Sequence, residues 1–136
     1  MPKGRFPIMS NNCEQLNAIS LFSGAGGLDI GFEDAGFNIV FANEIDKNAA
    51  ETWRVNRPGS AAMHEGDLLD YVDLLSEYKG VDVVFGGPPC QGFSVAGKMN
   101  PDDPRSKLIW SFLEVVKQVQ PRAFVIENVR ALARLS

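Results

Sequence analysis

The residues in this chain whose types and spacing could do chemistry fall into a few short loops. Cys90 follows Gly86-Gly87-Pro88-Pro89 and precedes Gln91-Gly92-Phe93-Ser94. The two prolines stiffen the backbone just ahead of the thiol, and the glycines before them let other groups come close. A thiolate held on such a corner is placed as a nucleophile, whereas inert thiols favour the interiors of strands and helices. Glu127, in Glu127-Asn128-Val129, follows the apolar run Phe124 to Ile126. A carboxyl rising from an apolar strand is expected to be partly buried. Burial favours the protonated acid, which can then donate a proton near neutral pH.

A second set of residues suits a ligand rather than a reaction. Phe22-Ser23-Gly24-Ala25-Gly26-Gly27 is a glycine-rich turn, which lets backbone pass close to a ligand. It departs from the dinucleotide pattern G-x-G-x-x-G, because the last position counted from Gly24 is Asp29. Glu44 lies about 20 positions past the glycines, where a carboxylate can accept hydrogen bonds from ribose hydroxyls. Asp67, after Gly66, could accept from an exocyclic amine. Each feature alone has a plainer reading. The glycines make a tight turn, Glu44 is a solvated carboxylate, and Asp67 caps the helical segment that follows it. Together they suggest an adenosine-type ligand.

The elements that must position these loops follow from hydrophobic patterning. Short apolar runs at Ala18–Phe22, Asn38–Ala42, Ala61–His64, Val81–Phe85 and Ala123–Ile126 read as strands. Between them, Leu28–Ala35, Asp46–Val55, Leu68–Tyr78 and Arg105–Val119 read as helices. Gly36, Arg57-Pro58-Gly59, Lys79-Gly80 and Pro121 stand where four of these segments stop. Five strands alternating with helices imply a parallel sheet covered on both faces. In such sheets ligands bind outside the carboxyl ends of the strands, which is where every candidate loop falls. Residues 1–16, with Pro2, Gly4 and Pro7, read as a flexible leader, leaving 17–136 as one domain.

Composition narrows the class. The chain has 136 residues, 45% hydrophobic and 22% charged, as expected of one soluble globular domain. No apolar run approaches the roughly 20 residues of a membrane span, and Met1–Asn12 lacks a secretion signal, so the cytoplasm is the expected location. Two cysteines, Cys13 and Cys90, do not make a disulfide framework, and with the single His64 they argue against a structural zinc site. Cys13 reads as a free thiol in the leader, His64 as structural, and Trp53 and Trp110 as core or partner-facing. A net charge of −4 argues mildly against autonomous DNA binding.

The glycine turn with Glu44, Asp67, Pro88-Pro89-Cys90-Gln91 and Glu127-Asn128-Val129, in this order, resembles the DNA (cytosine-5) methyltransferases from about Ala18 to the end of the chain. The resemblance implies an α/β, Rossmann-like fold for binding S-adenosylmethionine, with strand order 3-2-1-4-5. Phe22, Gly24, Gly26 and Pro88 would line the cofactor pocket, Glu44 would bind its ribose and Asp67 its adenine amino group. Ile45 stands where many members stack an aromatic residue on adenine, so stacking would become apolar contact. Cys90 would be the nucleophile and Glu127 the acid. Gln91, Ser94 and Arg105 would meet double-stranded DNA around a flipped cytosine.

Members of this family normally continue into an arginine-bearing catalytic motif, a target-recognition region and a closing helix, which the sequence to Ser136 does not include. The resemblance therefore leads to the expectation of a fragment or subunit, inactive or weak by itself. It would need a complementary chain, and it would expose a cut edge open to self-association. A basic DNA-binding face in the other half would account for the charge. Restriction-modification is the usual setting of bacterial members, with association to the nucleoid. Three other readings remain at this point: a non-catalytic subunit keeping the fold, a tRNA cytosine-5 methyltransferase, and a nicotinamide-dependent enzyme resting on the glycine turn and Glu44.

Overall fold

The computed structural model describes residues 15–89 and 107–127. Five parallel strands form one sheet: β1 (Asn17–Leu21), β2 (Asn38–Glu44), β3 (Met63–Glu65), β4 (Val83–Gly86) and β5 (Ala123–Ile126). Their order is β3-β2-β1-β4-β5, as the family resemblance implies. The order reverses between β1 and β4, and in open parallel sheets the crevice for ligands opens at that reversal.

Side-chain alternation along the strands builds a core on each face. Ala18, Val83 and Phe85 point to one face, where they meet Trp53 and Ala50 of α2 (Lys47–Val55). Phe32 of α1 (Gly27–Asp34) stacks on Phe85, with ring centroids 3.9 Å apart. Ile19, Leu21 and Val84 point to the other face, against Leu75 of α3 (Val72–Leu75) and Phe112, Val115 and Val119 of α4 (Lys107–Val119). The spacing of those α4 residues is the 3.6-residue period that marks this helix in the sequence.

Two expected elements differ in form. The segment expected as one helix over Leu68–Tyr78 is a 3₁₀ turn (Leu68–Tyr71), α3, and a second 3₁₀ turn (Ser76–Tyr78). The Tyr71 hydroxyl bonds the Glu65 carbonyl at 2.5 Å, and the Ser76 hydroxyl bonds the Asp73 carbonyl at 2.6 Å. Such local bonds compete with a continuous helical ladder. β2 runs two residues further than its apolar pattern, so Asn43 and Glu44 are still strand when they reach the site. The helix ends behave as the glycines suggest: Gly36 is left-handed (φ 99°) and its N–H bonds the Glu33 carbonyl.

Candidate cofactor and active site

The carboxyl ends of β1, β2 and β3 make one side of the site. Phe22 has a left-handed backbone (φ 52°), rare for a bulky residue and costing about 1–3 kcal/mol, as occurs at functional turns. Gly24 (φ 57°) and Gly26 (φ 98°) continue the turn into α1. Glu44 fastens it from β2: one carboxylate oxygen accepts from the Gly24 N–H at 2.8 Å and the other from the Asp46 N–H at 2.8 Å. One side chain thus fixes two strand-end loops, and its remaining lone pairs are left for a ligand.

Asn43, which sequence reasoning passed over, fixes the third loop. Its amide donates to the carbonyls of His64 (2.8 Å) and Gly66 (3.1 Å). The signal was present: a polar side chain at the end of an apolar strand, next to the carboxylate that was singled out. Asp67 realises its plainer reading, accepting from the Leu69 N–H at 2.9 Å to cap the first 3₁₀ turn. It is also exposed beside a cavity walled by Phe22, Asn43, Ile45, Asp67, Leu108 and Ser111. Leu108 and Ser111 belong to α4 and are far from the motifs in sequence. Ile45, 67% exposed, offers this cavity apolar surface.

The second side lies between β1 and β4. A cavity of about 130 Å³ is walled by Ser20, Phe22, Asp29, Phe85, Gly87 and Glu127, among others. Phe22 is common to both cavities and sits between them. Glu127 joins β4 through its N–H, which bonds the Gly86 carbonyl at 2.9 Å. A Cβ on Gly87 would come within 2.8 Å of a Glu127 carboxylate oxygen, so glycine here lets that carboxylate lie against the chain leading to Cys90. Pro88 is buried and Pro89 exposed.

Some expectations need correction or fall elsewhere. Glu127 was expected to leave a buried strand, but Ala123, Phe124 and Val125 are exposed and so is Glu127. β5 is an edge strand in the described sheet, and apolar composition alone could not tell an edge from a centre. Gly26 faces away from both cavities: a Cβ there would strike the Arg57 guanidinium at 2.7 Å and Trp53 at 2.8 Å. This glycine serves the packing of α1 against α2. His64 is structural, stacked on Phe41 at 4.3 Å with its Nδ1 2.7 Å from the Ala62 carbonyl. Trp53 is core, and Trp110 is 56% exposed. Cys13, Cys90, Gln91, Ser94 and Arg105 lie outside the described residues.

Comparison with known proteins decides the family. The model of the C-5 cytosine-specific DNA methylases matches residues 16–135. The chain belongs to this family. The Type II methyltransferase M.AquIA of Picosynechococcus sp. is 46% identical over 125 residues, covering 87% of this chain and 50% of that protein. M1.HphI of Haemophilus parahaemolyticus is 46% identical over 127 residues, covering 88% of this chain and 34% of that protein. In the crystal structure of an E. coli prophage protein described as a DNA modification methyltransferase, the match has a TM-score of 0.71 and 37% identity. It covers 88% of this chain and 34% of that one. The chain therefore spans half the length of M.AquIA and about a third of the other two. Among the described residues, no helix is long and apolar enough to cross a membrane.

The donor set fits S-adenosylmethionine. A methylase needs an adenosine grip, a site for a charged amino-acid tail and a route from the sulfonium to the target base. Glu44 with Asn43, Ile45 and Asp67 suits the first. The polar cavity between β1 and β4 suits the second and opens towards Glu127 and the segment leading to Cys90.

Proposed function

We propose that this chain forms the cofactor-binding and nucleophile-bearing part of an enzyme that methylates C5 of cytosine in DNA. The observation that carries the reading is the pair of cavities meeting at Phe22. One is bounded by Asn43, Ile45 and Asp67, the neighbours of Glu44 at the strand ends, and the other by Glu127 and the Gly86-Gly87 segment. Glu44 would take the ribose hydroxyls, and Asp67 and Ile45 the adenine. Pro88 would stiffen the backbone between cofactor and base.

Cytosine C5 is a weak nucleophile until C6 is saturated. In this reading the Cys90 thiolate gives its electron pair to C6, and the Glu127 carboxyl gives its proton to N3, leaving C5 enamine-like. S-adenosylmethionine, when bound, supplies an electrophilic methyl on a sulfonium. After C5 is methylated, its proton leaves to solvent or a base, the N3 proton returns to Glu127, and the C6–S bond breaks to free Cys90. A covalent intermediate of this kind splits one hard step into easier ones. Gln91, Ser94 and Arg105 would hold the strand around a base taken out of the stack.

The need for a complementary region is part of the proposal. Phe124 is 50% exposed, Val125 43% and Trp110 56%, so the β5 side carries apolar surface of the kind a second half, or a second copy, would cover. The test is transfer of labelled methyl from S-adenosylmethionine to duplex DNA. The chain is assayed alone, and with the part of M1.HphI that lies outside its match. The expected result is 5-methylcytosine only in the combined reaction, abolished by Cys90→Ala and lowered at least 100-fold by Glu127→Gln. Labelling of tRNA instead of DNA would move the substrate to RNA. Label incorporation unaffected by Cys90→Ala would contradict the mechanism.

A further inference from the structure

Asp29 is a carboxylate that neither the fold nor the chemistry above explains. It sits in the first turn of α1, at the position where a dinucleotide-type turn would have its third glycine, and it is 0% exposed. One of its oxygens accepts from the Trp53 indole N–H at 2.9 Å, which ties α1 to α2. The other oxygen, Oδ1, is buried with no hydrogen-bond partner, alone in this among the described residues. A buried charged oxygen left unpaired costs several kcal/mol, so a fold that keeps one calls for a partner that arrives later.

The surroundings say what that partner is. Asp29 walls the cavity between β1 and β4 together with Ser20 and Ser23, which are also buried. The two serine hydroxyls bond each other at 2.8 Å, and the Ser23 hydroxyl reaches the Ser20 carbonyl at 3.2 Å. The cavity, at about 130 Å³, has room well beyond the roughly 15 Å³ that one water needs. Its buried wall carries a carboxyl and two hydroxyls, which suits a compact cation with several N–H donors.

We propose that Asp29 Oδ1 receives the α-ammonium group of the methionine tail of S-adenosylmethionine. The inference rests on the cofactor reading above and adds an anchor that none of the motifs assigns. Burial pushes the Asp29 carboxyl above its usual range, while Trp53, Ser20 and Arg57 pull it down. An ammonium in the cavity would act in the same sense as those three.

The test compares ligands that share the nucleoside and differ in the tail. Binding to the full chain is measured by calorimetry for S-adenosylhomocysteine, its analogue lacking the α-amino group, and 5′-methylthioadenosine, which lacks the amino-acid part. On the wild type, loss of the amino group is expected to weaken binding at least tenfold. Asp29→Asn, which keeps an acceptor for Trp53, is expected to weaken S-adenosylhomocysteine at least tenfold and 5′-methylthioadenosine less than twofold. Equal affinities for the first two ligands on the wild type, or equal losses for the first and third in the variant, would overturn the proposal. Trp53→Phe serves as the structural control, because it breaks the tie between α1 and α2 and should leave the preference for the amino group in place. If the wild type binds none of the three, the cofactor reading itself falls, and the Asp29 anchor with it.

Discussion

The ends of β1, β2 and β3 and the β4–β5 side of the same sheet are built on opposite principles. At the first, polar side chains are spent on fixing loops: Glu44 holds the backbone of Gly24 and Asp46, and Asn43 holds that of His64 and Gly66. At the second, the apolar side chains of Phe124 and Val125 face outward, and Glu127 reaches the site from an exposed position. The difference teaches that one end of the sheet is locked by its own polar side chains, while the other leaves its apolar surface uncovered. In the function proposed above, the adenosine grip would come from residues 17–67, joined by Leu108 and Ser111 of α4. In the same proposal, the target base would be handled by residues 83–127 and by whatever packs over them.

The seam between the two regions is where a single change should do most damage. A Cβ on Gly86 would lie 2.3 Å from the Leu21 carbonyl oxygen, inside the parallel pairing of β1 and β4. Backbone cannot yield there without parting the strands. Gly86→Ala is expected to cost about 3 kcal/mol or more in a denaturant titration, or to prevent folding. A loss below about 1 kcal/mol would mean that the seam is looser than it looks.

Within the first region, Trp53→Phe removes the indole hydrogen bond to the buried Asp29 carboxylate and replaces the indole under Arg57, whose guanidinium lies 4.3 Å from the ring centroid. About 1–3 kcal/mol of stability should be lost.

Asp29→Asn tests the same spot through pH. Because burial raises its carboxyl in the folded state, Asp29 favours folding below the ordinary carboxylate range, and that contribution is lost as pH rises through the raised value. Urea midpoints of the wild type should therefore fall from about pH 4 towards pH 8 relative to Asp29→Asn, with the variant at least as stable at pH 8. A gap that widens in the opposite direction would show that Asp29 is stabilised as an anion by its present neighbours.

How far these features could be read from sequence differs between the same two regions. The five strands were legible, because short apolar runs and glycine stops report directly on a buried parallel sheet, while their order came from the family resemblance. Glu44 was legible as a carboxylate at a strand end, although its double duty as a tie between loops was not, since hydrogen-bond partners are set by tertiary approach. Asn43 and Asp29 were passed over: each is a single polar residue in an apolar stretch, and only three-dimensional burial shows that such a residue has work to do. β5 misled in the other direction. Ala123-Phe124-Val125-Ile126 reads as a strand that partly buries the start of Glu127, but its place at the edge of the described sheet leaves its first three residues exposed.

The smallest expected effect makes the contrast quantitative. Val125→Thr, on the exposed strand, should change stability by no more than about 0.5 kcal/mol. Val84→Thr, on the neighbouring strand at a 0% exposed position, buries a hydroxyl and should cost about 1–3 kcal/mol. Equal costs at both sites would show that β5 is covered in solution, by a second copy or by another part of the protein.

The central claim is that the strand ends around Glu44 form a site for S-adenosylmethionine. Calorimetric titration of the chain with this compound, beside Glu44→Ala, tests it most directly. The account predicts saturable one-to-one binding that Glu44→Ala weakens about 10–100-fold, the equivalent of one or two charge-assisted hydrogen bonds. Binding that Glu44→Ala leaves unchanged, with the variant folded, would contradict it.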